Sequence, residues 1–361
     1  MNRGRNQREM RFSATYFHNF RNIQHERREW PQGFNLITGP NGAGKTNFLE
    51  GLNLISGWGP LERNTRIASL VRWKDDGREE RASLWGRVSG EEDADIFASL
   101  SVRCSLKIGE GGTDATTMRG RIPVLSWLSG HASILRGGAS NRRALLDRVG
   151  ALVSPSYAAR LHDYRYALRQ KTALLRKSYN PAIADRVMIP LGSWLWAARE
   201  EITRMIGNAL REFADLTPRP VDLSFARGGG GLEDNPATDF RRGLVLNRDR
   251  ERASRIPLVG PQRDDVRISC GSRDAAVALS RGQSRRTASA LILASALVVE
   301  RRLGRKPILV FDELASELDS EGRSSTIDAL MRTGCQIFAA STDPIPAAGV
   351  ELHRMISGKF L

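Results

Sequence analysis

Apolar residues fall along this chain in two rhythms: short unbroken runs near both ends, and longer runs with a helical repeat. Phe34–Thr38 reads as a short strand, followed by Phe48, Leu49, Leu52 and Ile55 at helical spacing. Ile308, Leu309, Val310 and Phe311 follow Pro307. That run is too short and too rich in β-branched and aromatic residues for a helix, so it reads as a buried parallel strand. Residues 335–340 read as the next strand. Ala288, Leu291, Ile292, Ser295, Leu297 and Val298 mark a long helix with Ser280 as its N-cap and Gly304 as its stop. In the middle of the chain Tyr157, Leu161, Tyr164, Leu168, Thr172 and Leu175 recur at steps of three and four, as do Leu191, Leu195, Ala198, Ile202, Met205 and Phe213. Asn180-Pro181 and Pro190 are expected to break the chain between them, giving an antiparallel helical pair. The whole predicts an α/β unit assembled from both ends of the chain around a central helical lobe.

The turn after the first strand carries the candidate chemistry. Gly39-Pro40-Asn41-Gly42-Ala43-Gly44-Lys45-Thr46 matches the phosphate-loop pattern, with the strand before it and helix after it that the pattern requires. Glycines let successive backbone N–H groups face phosphate oxygens, and the helix adds its positive N-terminal end. Lys45 is placed to reach the β- and γ-phosphates and Thr46 to ligate Mg²⁺. The run 308–311 ends in Asp312-Glu313. Acids at the C-terminal end of a parallel strand sit where open α/β sheets bind ligands, so Asp312 is expected beside Thr46 in the metal shell and Glu313 at the attacking water. Without a phosphate loop the same two acids would merely solvate a turn.

Leu279-Ser280-Arg281-Gly282-Gln283 alone is a capped helix start. Standing about 30 residues before Asp312, it resembles the signature motif of the ATP-binding-cassette superfamily. In that superfamily the serine and helix N-terminus approach the γ-phosphate of ATP held by a second subunit. Ser316-Glu317-Leu318-Asp319 resembles the D-loop that runs along that dimer interface. About 235 residues separate Lys45 from Ser280, more than transporter ATPases place there. SMC proteins insert hundreds of coiled-coil residues at this point, which leaves a short helical insert as the reading here.

Several ordered segments then resemble the RecF family of bacterial recombinational repair proteins, over nearly the whole chain. Phe17-His18-Asn19-Phe20-Arg21-Asn22-Ile23 is similar to the family's NFRN region, and residues 39–50 to its phosphate loop. Residues 135–147, LRGGASNRRALLD, are similar to the KGGPSERRRFLD start of the helical lobe. Gly260-Pro261-Gln262-Arg263-Asp264-Asp265 resembles GPHRDD, where the chain is expected to return to the sheet. The resemblance implies an ABC-type, SMC-like P-loop ATPase head with an inserted, mostly helical second lobe, divided at 1–134, 135–255 and 256–361. It implies ATP and Mg²⁺ as cofactors, an ATP-dependent homodimer in which residues 280–283 contact the partner's ATP, and weak DNA-dependent hydrolysis. The partners it implies are double-stranded and gapped DNA, with RecR and RecO in loading RecA, and roles in replication and the SOS response. Residues 93–133, including Gly109-Glu110-Gly111-Gly112 and Trp127, do not carry the family's usual segment, so the glutamine loop has no assignment. Many members carry Asp-Asp where this chain has Asp312-Glu313, a difference that favours hydrolysis. Ser341-Thr342-Asp343 holds no switch histidine; Thr342 and Asp343 are candidates for that place, and a plain strand-end turn is the competing reading.

Composition adds limits. At 361 residues and 40% hydrophobic the chain can bury a large core. No run approaches the roughly twenty apolar residues of a membrane span, and the first ten residues are polar and basic, so a cytoplasmic protein without a signal peptide is expected. Cys104, Cys270 and Cys335 lack paired metal-ligand spacing and read as reduced, buried thiols. A net charge of +15 points to polyanions, chiefly nucleic acid. Only seven of the 55 cations are lysine; a GC-rich genome explains that bias as well as phosphate binding does. Arg142-Arg143, Arg241-Arg242, Arg285-Arg286 and Arg301-Arg302 are candidate DNA contacts or solvated helix faces. Residues 228–231 read as a flexible glycine connection, and Trp194 and Trp196 as core. A transporter subunit, a defence or overcoming-lysogenisation ATPase, and an ATP-switched binder with negligible turnover remain as alternatives.

Overall fold

The computed structural model describes residues 10–61, 65–74, 77–78, 81–90, 92–127, 133–313, 320–345 and 347–361. They fall into two compact units, Met1–His131 with Val299–Leu361, and Ala132–Val298. Among the described residues no helix is long and apolar enough to cross a membrane.

In the first unit the apolar runs become a largely parallel sheet. Its order is Val124–Trp127, Ile308–Phe311, Ile337–Ser341, Phe34–Thr38, Val350–Ile356 and Lys359–Phe360, with only the last pair antiparallel. Every residue of Phe34–Thr38, Ile308–Phe311 and Ile337–Ser341 is buried, which is why these strands read as continuous apolar runs. The strand expected at 335–340 runs from Ile337 to Ser341, and Gln336 just before it joins this sheet to a second one. Its side chain accepts from Phe12 N at 2.7 Å and donates to Phe12 O at 2.8 Å.

Phe12 belongs to a second, antiparallel sheet, ordered Ile23–Glu29, Arg11–Phe20, Ala82–Ser89, Ala94–Leu100, Cys104–Ile108 and Gly111–Thr113. Here burial alternates: Ala82, Leu84, Gly86 and Val88 are buried and the residues between them are not, as in a sheet with one face on the core. The helix Lys45–Ile55 packs into both sheets. Phe48, Leu49 and Leu52 join one hydrophobic cluster with Phe17, Leu84 and Ile96 from the antiparallel sheet and Val310 and Phe338 from the parallel one. Gly51 permits the close approach, since a Cβ there would stand 2.3 Å from Phe17 Cε2.

The second unit contains the helices Ala139–Val153, Pro155–Arg176, Ala182–Leu210 and Pro236–Ser254, and a small antiparallel sheet of Asp222–Ala226, Asp265–Cys270 and Arg273–Asp274. The helical pair is present, but Pro190 does not break it. It lies inside Ala182–Leu210, where packing along 29 residues outweighs one lost backbone bond. Residues 260–265 do not lead back to the parallel sheet either, because Asp265–Cys270 pairs with Asp222–Ala226. The compact second unit therefore runs to residue 298, past the expected boundary at 255, and the dividing line falls inside the helix Arg281–Leu303.

A buried polar network ties these helices together. Arg199, 2% exposed, meets Asp147 and Asp264 at 2.8 Å each and donates to Pro261 O at 2.6 Å. Burial opposes its charge, but Asp147, Tyr157 and Asp264 together push its pKa well up. Asp264 also accepts from Trp196 Nε1 at 2.7 Å and Gly228 N at 2.9 Å. The glycine segment is thus pinned, and not a flexible connection; Gly231 N is bound in turn by Asp239 at 2.7 Å. Arg142 forms a two-pronged pair with Asp265 at 2.6 and 3.0 Å, and Arg143 donates to Asp264 O. Those two arginines serve the fold. Of the two tryptophans Trp196 is fully buried, whereas Trp194 is half-buried under the Arg160 guanidinium. Cys335 is buried, and Cys104 and Cys270 are half-buried; none of the three is joined in a disulfide.

Candidate nucleotide site

The phosphate loop lies in the first unit, between the strand Phe34–Thr38 and the helix Lys45–Ile55. Two of its glycines are required by space as well as by conformation. A Cβ at Gly39 would stand 2.1 Å from Met355 O, and Gly44 has φ 109° with the Asn22 amide 2.7 Å from where its Cβ would be. The helix start has no side-chain cap and no acid in its first turn. Its N–H groups and dipole are therefore available to an anion.

Lys45 Nζ donates to Gly39 O at 2.7 Å and Pro40 O at 3.0 Å, folding the lysine back along the loop. Burial lowers its pKa, while Asp312 and Glu313 work against that shift. Thr46 Oγ1 donates to Asp312 Oδ2 at 2.7 Å, across 266 residues of sequence. Burial raises the Asp312 pKa and repulsion from Glu313 adds to it, with the Thr46 bond opposing. A hydroxyl and a carboxylate at this spacing are hard oxygen donors of the kind Mg²⁺ takes with water and phosphate oxygens. Glu313 is exposed at the rim with φ 52°, an uncommon backbone for a non-glycine residue. Residues 41–47, Asp312, Glu313, Ala340, Ser341 and Thr342 line one cavity. Thr342 thus reaches the cavity from the third parallel strand end.

Asn22 stands within the segment 17–23 that carries the family resemblance, which assigns it no role at the loop. Its amide donates to Gly42 O at 3.3 Å and accepts from Asn47 Nδ2 at 2.9 Å, bridging the loop to its helix. The tight turn that delivers it has Asn19 and Arg21 at positive φ, and Arg21 is held by buried Glu50.

The model of the RecF/RecN/SMC N-terminal domain matches residues 12–345. The chain is 31% identical to the DNA replication and repair protein RecF of Symbiobacterium thermophilum over 340 residues, covering 90% of this chain and 89% of that one. With RecF of Mesorhizobium japonicum it shares 30% identity over the same proportions. The chain belongs to the RecF family. Among solved structures, a recombination mediator protein RecF-ATP of the RecFOR pathway superposes with a TM-score of 0.86 at 23% identity, covering 99% of each chain. An SMC head bound to the C-terminal winged-helix domain of ScpA gives 0.56 at 15% identity, over 97% of this chain and 95% of that one. The fold is accordingly an ABC-type, SMC-like ATPase head.

The segment Leu279 to Gln283, which resembles the signature motif, lies in the second unit, at the start of Arg281–Leu303. Ser280 Oγ accepts from Gln283 N at 3.2 Å, and Gln283 Oε1 accepts from Ser280 N at 3.0 Å. This reciprocal pair is a capping box, so Gln283 has a role at the helix start that the N-cap reading of Ser280 alone did not include. Ser280 and Arg281 are exposed, and Gly282 has open space where a Cβ would be. Ser316, Glu317, Leu318 and Asp319, which resemble the D-loop, lie outside the described residues, as do 128–132 in the stretch that carries no assigned glutamine loop.

Proposed function

We propose that this chain is an ATP-switched DNA-binding protein of replication and recombinational repair. The observation that carries the reading is the Thr46–Asp312 hydrogen bond at 2.7 Å. It supports one site built from the phosphate loop and a strand-end acid, in a chain whose relatives are named for DNA replication and repair. Residues 39–46 would hold the phosphates of ATP, Thr46 and Asp312 would hold Mg²⁺, and Glu313 would orient water. Bound ATP–Mg²⁺ supplies the phosphoanhydride; the protein's part is to place donors around it and exclude competing geometry. Ser280 to Gln283 of a second copy would complete each site, with residues 316–319 along the dimer seam. ATP would then close two copies on duplex DNA near single-strand gaps, slow hydrolysis would release them, and RecR and RecO would act with the clamp in loading RecA.

The test is DNA binding to gapped and blunt duplexes, with and without ATP, by wild type and Lys45→Ala. ATP should tighten gapped-DNA binding and raise the dimer fraction in wild type only. No change in either quantity with ATP would end the clamp reading.

A further inference from the structure

The solvent face of the antiparallel sheet carries an ordered row of rings. Tyr16 pairs directly with Arg27 on one side and Trp85 on the other, Trp85 with Phe97, and Phe97 with Lys107. Directly paired residues share a face, so three aromatics lie side by side with a cation at each end. They point away from the core: Phe17, Leu84, Ile96 and Ala98, their neighbours in sequence, are the ones in the hydrophobic cluster. Phe97 is 37% exposed, Tyr16 and Trp85 are half-buried, and Arg27 and Lys107 are exposed. Arg87 places its guanidinium 5.5 Å from the Trp85 ring. Beside Tyr16, the rings of His18 and His25 lie 4.4 Å apart.

Composition does not account for this row. Arginine is so abundant here that clusters of it carry little information, but aromatics are 7% of the chain. Cross-strand ring pairs do stabilise sheets, yet that gain alone would not place a cation at both ends. With strands about 4.8 Å apart, the three rings span roughly 10 Å and the two cations roughly 19 Å. That is the footprint of two or three stacked bases with backbone phosphates at either side.

We propose that this face is a stacking platform for unpaired nucleotides, with bases on Tyr16, Trp85 and Phe97 and phosphates at Arg27 and Lys107. The proposal takes nucleic acid as the partner from the reading above, but it needs neither ATP nor a dimer. A duplex keeps its bases stacked on each other and cannot use the rings.

The experiment measures affinity for a short oligothymidylate and for a blunt duplex of the same length, without nucleotide. Trp85→Leu/Phe97→Leu should weaken single-strand binding at least tenfold and duplex binding less than twofold, the retained duplex binding reporting an intact fold. Arg27→Ser/Lys107→Ser should reduce the slope of log affinity against log salt by about 1.4 for the single strand. Single-strand affinity unchanged in the ring variant, or single-strand and duplex affinities falling together, would overturn the proposal. Loss of the ATP response in the clamp assay, with this ring dependence intact, would sink the clamp reading alone.

Discussion

His353 shows how one buried ring makes stability depend on pH. Its Nε2 lies 3.0 Å from Asn35 Oδ1. An amide oxygen only accepts, so Nε2 carries the proton and Nδ1, which is buried with no hydrogen-bond partner among the described residues, is bare. Burial, and then Arg28, pull the pKa from 6.5 down to about 4. The unfolded ring takes up a proton near 6.5 and the folded ring only near 4, so stability is full above that window and falls as pH drops through it. His353→Gln should flatten the fall in urea midpoint between those limits; parallel slopes for variant and wild type would refute the assignment. A role of this kind is not legible in sequence, because partners 318 residues apart define it. The same holds for Asn22, whose contacts lie 20 and 25 residues away. Lys45, Thr46 and Asp312 were legible because a local pattern announces each of them.

At the level of elements, packing between helix and sheet leaves little room for added atoms. Gly51 faces Phe17, and Gly51→Ala should cost about 1–3 kcal/mol through overpacking, read by chemical denaturation; a neutral or stabilising change would mean that the Phe17 ring swings aside freely. Runs buried on both faces, such as Ile308–Phe311, were readable from composition and length. The antiparallel sheet is not legible in the sequence, since its alternation mixes residues such as Trp85 and Tyr16 into the polar face and blurs the period of two. Pro190 departs from expectation for the opposite reason: tertiary contacts along a 29-residue helix override a local breaker signal. Ser280 was correctly read as a cap, and the structure adds Gln283 as its reciprocal partner.

On the scale of the whole molecule, the second unit is held by charge as well as by apolar packing. Asp264→Ala would strip Arg199 of one of its two carboxylates and orphan the Trp196 and Gly228 donors. A loss of about 3–5 kcal/mol is expected, measured as the shift in urea midpoint, and a loss below about 1 kcal/mol would show that Asp147 alone suffices. The boundary at 298 was hidden from sequence reading because Asp265–Cys270 looks like any other strand and only its pairing with Asp222–Ala226 assigns it. Pairing has one more consequence, for synthesis. The strand Phe34–Thr38 sits between Ile337–Ser341 and Val350–Ile356, so both its neighbours emerge last from the ribosome. At 5–20 residues per second, some 300 intervening residues keep both edges of that strand unpaired for about 15–60 s. A nascent chain stopped before residue 337 has no partner for the strand that carries the phosphate loop, which makes this apolar segment a natural client for a chaperone during translation.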